Sequence, residues 1–133
     1  MALMSEISFN GRKLIVYNVH LESRGSDKLR IRQLSEILAE MGQYPAEMPV
    51  LIAGDFNFDV SRGPTVPLMA GMRIHNPFAA RDGRQTVLKS RNGTPRAIDW
   101  MLTRGALAAY RPAIHNYTAA SDHFPLLLEL QLQ

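Results

Sequence analysis

From Lys13 to Val19 the chain reads Lys-Leu-Ile-Val-Tyr-Asn-Val, a β-branched and aromatic run that predicts a strand. Asn10-Gly11 precedes it, the pair that suits a two-residue turn needing positive φ at both positions. Residues 2–9 alternate loosely, so the opening is predicted to be a hairpin. Leu29, Leu34, Ile37, Leu38 and Met41 then recur at helical spacing, with Ser26 placed to cap a helix starting at Asp27 and Gly42 to end it. Pro49-Val50-Leu51-Ile52-Ala53-Gly54 is a short continuous apolar run, the pattern of a strand buried on both faces. Strand, helix and strand together make a βαβ-like unit.

Residues 60–96 are rich in Pro, Gly, Arg and Asn and read as loops. Within them a short helix is predicted near Val66–Ala70, with weak strands near Met72–Ile74 and Gln85–Lys89. Ala97–Leu102 predicts a strand that sets Asp99 and Met101 on one face and Ile98, Trp100 and Leu102 on the other. Further strands are expected at Tyr110–Asn116 and Phe124–Leu130. The fold class is mixed α/β, rich in strands.

Composition narrows the setting. The 133 residues are 46% hydrophobic and 20% charged, which suits one globular domain with its own core and argues against intrinsic disorder. No apolar run approaches the ~18 residues of a membrane span, and the first residues lack the pattern of a signal peptide. The absence of cysteine excludes disulfides, thiolate metal sites and thiol nucleophiles. A cytoplasmic setting is the expectation. The balance of 15 basic to 12 acidic residues gives a net charge of +3, compatible with a phosphate-bearing partner. The densest basic cluster is Arg81, Arg84, Lys89, Arg91 and Arg96, whose ordinary reading is a solvated loop and whose alternative is a phosphate-contacting one.

The residues able to do chemistry fall at the ends of separate predicted strands: Asn18-Val19-His20, Gly54-Asp55-Phe56-Asn57, Asp99, and Ser121-Asp122-His123. In layered α/β folds ligands gather at strand ends, so these groups can share one cleft. Asp99 beside His123 would orient the imidazole and stabilise its charged form, as a general base requires. Asp122 is a hard oxygen ligand suited to Mg²⁺ or Mn²⁺. Asp55 and Asn57 pair a carboxylate with a neutral amide, able to position a water and a phosphoryl oxygen. His20 can donate to a phosphate or protonate a leaving oxygen. Each piece alone has a plainer reading, an Asp-His surface turn or an Asx-turn at a strand exit. His75 and His115 lack a partner motif, and Trp100 is assigned to the core.

Taken in order, Asn18-Val19-His20-Leu21-Glu22-Ser23, Gly54-Asp55-Phe56-Asn57, Ile98-Asp99-Trp100-Met101 and Ser121-Asp122-His123-Phe124-Pro125 resemble the endonuclease/exonuclease/phosphatase family, the deoxyribonuclease-I-like enzymes. The resemblance covers roughly residues 14 to 132. It implies that His123 is a general base held by Asp99, that Asp122 is a ligand of a catalytic divalent metal, and that Asp55 and Asn57 position the nucleophile and stabilise the transition state. It implies that His20 contacts phosphate or the leaving group, with Asn18 as a neighbour. The reaction would be metal-assisted hydrolysis of a phosphate ester, nucleic acid being one such substrate. The resemblance also implies half of a four-layer αββα sandwich: one mixed or antiparallel sheet with helices on one face. On this reading residues 1–133 form a single domain equivalent to the C-terminal half. The family's first half, which bears a glutamate metal ligand, is then missing, and Glu6 and Glu22 are the acidic residues weighed as substitutes. A homodimer would rebuild the sandwich and cover the sheet face left bare. The competing function is a non-catalytic half-fold or fragment that serves as a binding or assembly module.

Overall fold

Alternation of buried and exposed side chains along the strands decides how the sheet faces the helices. The computed structural model describes residues 1–79, 85–88, 94–116 and 120–133. Strands β1 (Ala2–Phe9) and β2 (Arg12–His20) form the predicted hairpin, with Asn10 and Gly11 at φ 50° and 74° as a turn of type I′ requires. Helix α1 (Asp27–Met41) leads to β3 (Val50–Asp55), and α2 (Thr65–Gly71) precedes β4 (Asp99–Arg104). Strands β5 (Leu107–Ile114) and β6 (Leu126–Leu132) form a separate antiparallel pair. The larger sheet has the order β1-β2-β3-β4, with β2 and β3 parallel and the other two pairings antiparallel.

One face of that sheet carries Ile15, Tyr17, Val19, Val50, Ile52, Trp100 and Leu102, all buried beneath Leu34, Ile37, Leu38 and Met41 of α1 and Met69 of α2. Tyr17 donates its hydroxyl to the Glu40 carboxylate, tying the middle of the sheet to the helix. Arg104, 8% exposed, reaches under the C-terminal end of α1 and donates to the carbonyls of Met41, Tyr44 and Pro45. A cation there meets the negative end of the helix dipole and satisfies carbonyls that the helix leaves unpaired. The opposite face presents Leu3, Ile7 and Phe9 of β1 with Leu14, Val16, Leu51 and Met101, none of them buried.

Three expectations are adjusted. Strand β3 is buried on the helix-facing side, whereas Leu51 and Ala53 on its second face are only half-buried, because the β5–β6 pair covers that face in part. Ser26 occupies the cap position in an extended conformation, but its side chain caps nothing; its carbonyl accepts from Leu29 and Arg30 instead. The two weak strands reduce to isolated bridges, His75 with Thr103 and Val87 with His123. Arg81, Arg84, Lys89 and Arg91 lie outside the described residues.

Candidate active site

Strand register alone assembles most of the site. His20 is opposite Asp55 in the parallel pair β2·β3, and Asp55 is opposite Asp99 in the antiparallel pair β3·β4. Cross-strand partners project from the same face, so three chemistry-bearing side chains form a row at one end of the sheet. They stand on the face away from α1. Asn18 is two residues earlier on β2 and shares that face, exposed and opposite Ala53.

Gly54 makes the close pairing possible. Its φ is 139°, and a Cβ built there would lie 2.0 Å from the Val19 carbonyl oxygen. Only glycine fits without moving β2. Beyond the strand, residues 55–58 are fastened on both sides. Leu21 donates its N–H to the Asp55 carbonyl at 2.9 Å, Phe56 donates to the Ile98 carbonyl at 2.8 Å, and Trp100 Nε1 donates to the Phe58 carbonyl at 3.1 Å. Asn57, at φ 58°, gives its amide Nδ2–H to the Leu21 carbonyl and its backbone N–H to Asp55 Oδ1, at 3.0 and 2.7 Å. Phe56 and Val60 are fully buried, which anchors this turn in the core.

His123 arrives from the far end of the chain. Its Nδ1 lies 3.0 Å from both carboxylate oxygens of Asp99. A carboxylate accepts only, so this contact fixes the Nδ1–H tautomer and leaves Nε2 as the acceptor when the ring is neutral. His20 Nε2 stands 3.7 Å from Asp55 Oδ2, a looser and more exposed approach. One ligand atom from each of Asp55, Asp99 and His123 lies within 4.8 Å of the others.

Thr86 holds this arrangement and carried no signal in the sequence. It is 2% exposed, and its Oγ1 accepts the backbone N–H of Ile98 and of Asp99 at 2.9 and 3.1 Å. Its carbonyl accepts from Phe124 at 2.7 Å, and the neighbouring Leu88 donates to the Asp122 carbonyl at 2.8 Å. One short stretch therefore sets both halves of the Asp99–His123 pair. Burial raises the Asp99 carboxyl above its ordinary value, the nearby Asp55 charge adds to that, and hydrogen bonds from Thr86 and His123 oppose it.

Asp122 is brought next to the cluster by sequence but is exposed, and its carboxylate is not one of the three grouped atoms. Neither acidic substitute joins them. Glu6 pairs with Lys13 at 2.8 Å on the hairpin arm. The Glu22 carboxylate accepts the Arg24 N–H at 2.8 Å, which holds its proton affinity below the usual range. Oxygen donors from Asp55 and Asp99, with Asp122 nearby in the chain, fit a hard divalent cation in kind. Asp99 is engaged with His123, so Asp55 and Asp122 are the freer carboxylates.

The cluster overlooks a depression of about 160 Å³ formed by Gly54, Asp55, Asp99, Trp100, Met101 and Leu126. A larger cleft of about 410 Å³ flanks it on the helix side; Asn57 lines that cleft together with Arg30, Arg62 and Arg96.

The family model described as the Endonuclease/Exonuclease/phosphatase family matches residues 5–123, and the chain belongs to that family. No curated protein matches the sequence significantly. Among solved structures, humanized D. rerio TDP2 is similar with 20% identity and a TM-score of 0.76, over 98% of this chain and 60% of that one. A functionally unknown conserved protein from Enterococcus faecalis matches with 23% identity and a TM-score of 0.76, over 99% and 56%. A mannosyl-6-phosphatase from Bacteroides thetaiotaomicron matches with 20% identity and a TM-score of 0.66, over 92% and 52%. These likenesses establish the fold as part of that family's sandwich. The chain spans about 60% or less of the length of each of these structures.

Proposed function

We propose that the protein is a divalent-metal-dependent hydrolase of phosphate esters that uses a water activated by His123. The observation that carries this reading is the Asp99–His123 pair, 3.0 Å apart, with Asp55 in register beside it. Asp99 accepts from Nδ1–H, so Nε2 is the basic atom that takes a proton from the attacking water. As the imidazolium forms, the half-buried Asp99 carboxylate stabilises it. Asp55 and Asn57 position the nucleophile and the phosphoryl group, His20 donates toward a phosphoryl or leaving oxygen, and Asn18 lines the approach on the same sheet face. Asp122, with Asp55, would hold Mg²⁺ or Mn²⁺, and the cation supplies charge neutralisation on the phosphoryl oxygens. Family membership supports the phosphate-ester class, and D. rerio TDP2 has been solved with a single-strand DNA product, which supports nucleic acid among the substrates to try.

The proposal takes residues 1–133 as one domain, equivalent to the C-terminal part of the family sandwich, working in the cytoplasm. A second copy of the chain would cover the apolar part of the sheet face that the β5–β6 pair leaves exposed. The other reading is a non-catalytic binding or assembly module, favoured by the 60% span and by the absence, among the described residues, of a further carboxylate from the grouped atoms. The test is hydrolysis of bis(p-nitrophenyl) phosphate and of plasmid DNA with Mg²⁺, Mn²⁺ or EDTA. Metal-dependent turnover that His123→Ala lowers by about 100-fold or more is expected. No turnover, or turnover equal in wild type and variant, overturns the enzyme reading in favour of the module.

A further inference from the structure

The larger cleft lies across the top edge of the sheet from the carboxylate cluster. Arg96, Ala97 and Ile98, just before β4, line this cleft, while Asp99, the first residue of β4, belongs to the cluster with Asp55 and His123. Asn57 stands at the junction: it lines the cleft and its backbone N–H binds Asp55. A cavity of about 410 Å³ is large enough for a small charged group.

Three guanidinium groups line it, and two are already neutralised. Arg30 is bound to Asp27 at 2.6 Å and to the carbonyls of Glu22 and Ser23. Arg62 is bound to Asp59 at 2.9 Å. Arg96 makes no ion pair among the described residues, so it is the positive charge left over in the cleft. Its backbone is nonetheless fixed, because its carbonyl accepts from Thr86 at 2.9 Å and the following Ala97 and Ile98 are buried. A cation on a fixed stretch of backbone, beside a second placed donor, is what binding an anion requires.

We propose that this cleft holds a second phosphate of the substrate, adjacent to the scissile one, with Arg96 as its cation. Resting on the phosphoesterase reading, this makes the substrate a polynucleotide strand that crosses the sheet edge past Asn57. The three residues from Arg96 to Asp99 span roughly 10 Å when extended, within reach of a neighbouring nucleotide. A phosphomonoester with no second anionic group would leave Arg96 unused.

Binding tests this without turnover. A fluorescein-labelled oligodeoxythymidylate is titrated with the full chain in EDTA, by anisotropy, across a series of salt concentrations. Arg96→Ala is expected to weaken binding roughly tenfold and to reduce the slope of log K against log salt by about one, while Arg96→Lys keeps the slope. Lys13→Ala, on the distant hairpin arm, serves as the charge-loss control and is expected to bind as wild type does. Equal affinity and slope for wild type and Arg96→Ala overturn the proposal, as does failure of the wild type to bind the oligonucleotide. Displacement of the oligonucleotide by fructose 1,6-bisphosphate at similar concentrations also overturns the strand and assigns the cleft to small bisphosphates. Hydrolysis of bis(p-nitrophenyl) phosphate by wild type and His123→Ala is run in parallel. Its failure, with oligonucleotide binding intact, removes the catalytic reading and leaves the cleft assignment standing.

Discussion

Thr86 shows how much a single hydroxyl can organise. It accepts two backbone N–H groups and bonds the Asp99 carboxylate, which uses its full capacity as donor and acceptor. Thr86→Val keeps the shape and removes all three bonds. Leaving two buried N–H groups unpaired is expected to cost on the order of 2 kcal/mol or more, whereas Thr86→Ser retains most of the stability. The loss also has a pH signature. The folded Asp99 carboxyl sits above its unfolded value of 3.8, so ionising it in the native state carries a penalty. That penalty is absent below the unfolded value, grows as pH rises through the raised window, and is complete above it. Removing the Thr86 bond takes away a group that favours the ionised form, so Asp99 titrates higher still in Thr86→Val. The stability deficit of the variant is therefore larger near pH 7 than near pH 3. Urea denaturation at the two pH values, with ¹³C NMR titration of the Asp99 carboxyl, checks both points. A deficit independent of pH would mean that Thr86 supports the fold without tuning Asp99.

At the scale of elements, the site is a consequence of register. His20, Asp55 and Asp99 share one row because β2, β3 and β4 pair without a bulge up to that end. The sequence already carried much of this: the hairpin turn, the periodicity of α1, and polar residues at the exits of β2 and β3 were all legible from local chemistry. The parity of Asp99 against Ile98, Trp100 and Leu102 was legible as well, since a strand alternates regardless of context. What local pattern could not supply is the contact between segments distant in the chain. Thr86 sits in a stretch without periodicity, and only its bonds to Asp99 and Phe124 give it meaning. The apolar run of β3 overstated its burial for a related reason, because residues that suit burial on both faces do not say how completely a second layer covers them. Gly54 is the point at which register is most exposed to mutation. A methyl group 2.0 Å from the Val19 carbonyl, at φ 139°, must push β2 and β3 apart. Gly54→Ala is expected to destabilise the chain by about 3 kcal/mol, from strain and separation together. Thermal unfolding measures the loss, and the ¹H–¹⁵N spectrum should show its largest shifts at residues 18–21 and 53–57.

For the whole molecule the unbalanced feature is the sheet itself, covered by helices on one face and only in part, by the β5–β6 pair, on the other. Leu3 and Phe9 are 63% and 64% exposed, and Ile7, Leu14, Val16, Leu51 and Met101 continue the apolar surface across β1 to β4. Near the far end of the sheet a further hollow of about 630 Å³ is lined by Ile7, Phe9, Leu14, Leu107, Leu130 and Leu132. Apolar area on this scale drives association at roughly 25 cal/mol per Å² removed from water, against the entropy of bringing two bodies together. A two-fold pairing of like faces would bury it twice over, and because the cluster of His20, Asp55, Asp99 and His123 stands on that same face, the pairing would also bring a second copy toward the site. Sedimentation equilibrium at micromolar concentration is expected to give a dimer, and Phe9→Lys to shift it toward monomer by placing a charge in the contact. Phe9 lies at the opposite end of β1 from the residues paired with the site, so the Asp99–His123 geometry should persist in the variant, visible as an unchanged Nδ1–H resonance. If Phe9→Lys abolishes both dimerisation and phosphodiester hydrolysis, the second copy completes the site. If hydrolysis survives in a monomer, one chain builds the working centre and the second copy has no part in its chemistry.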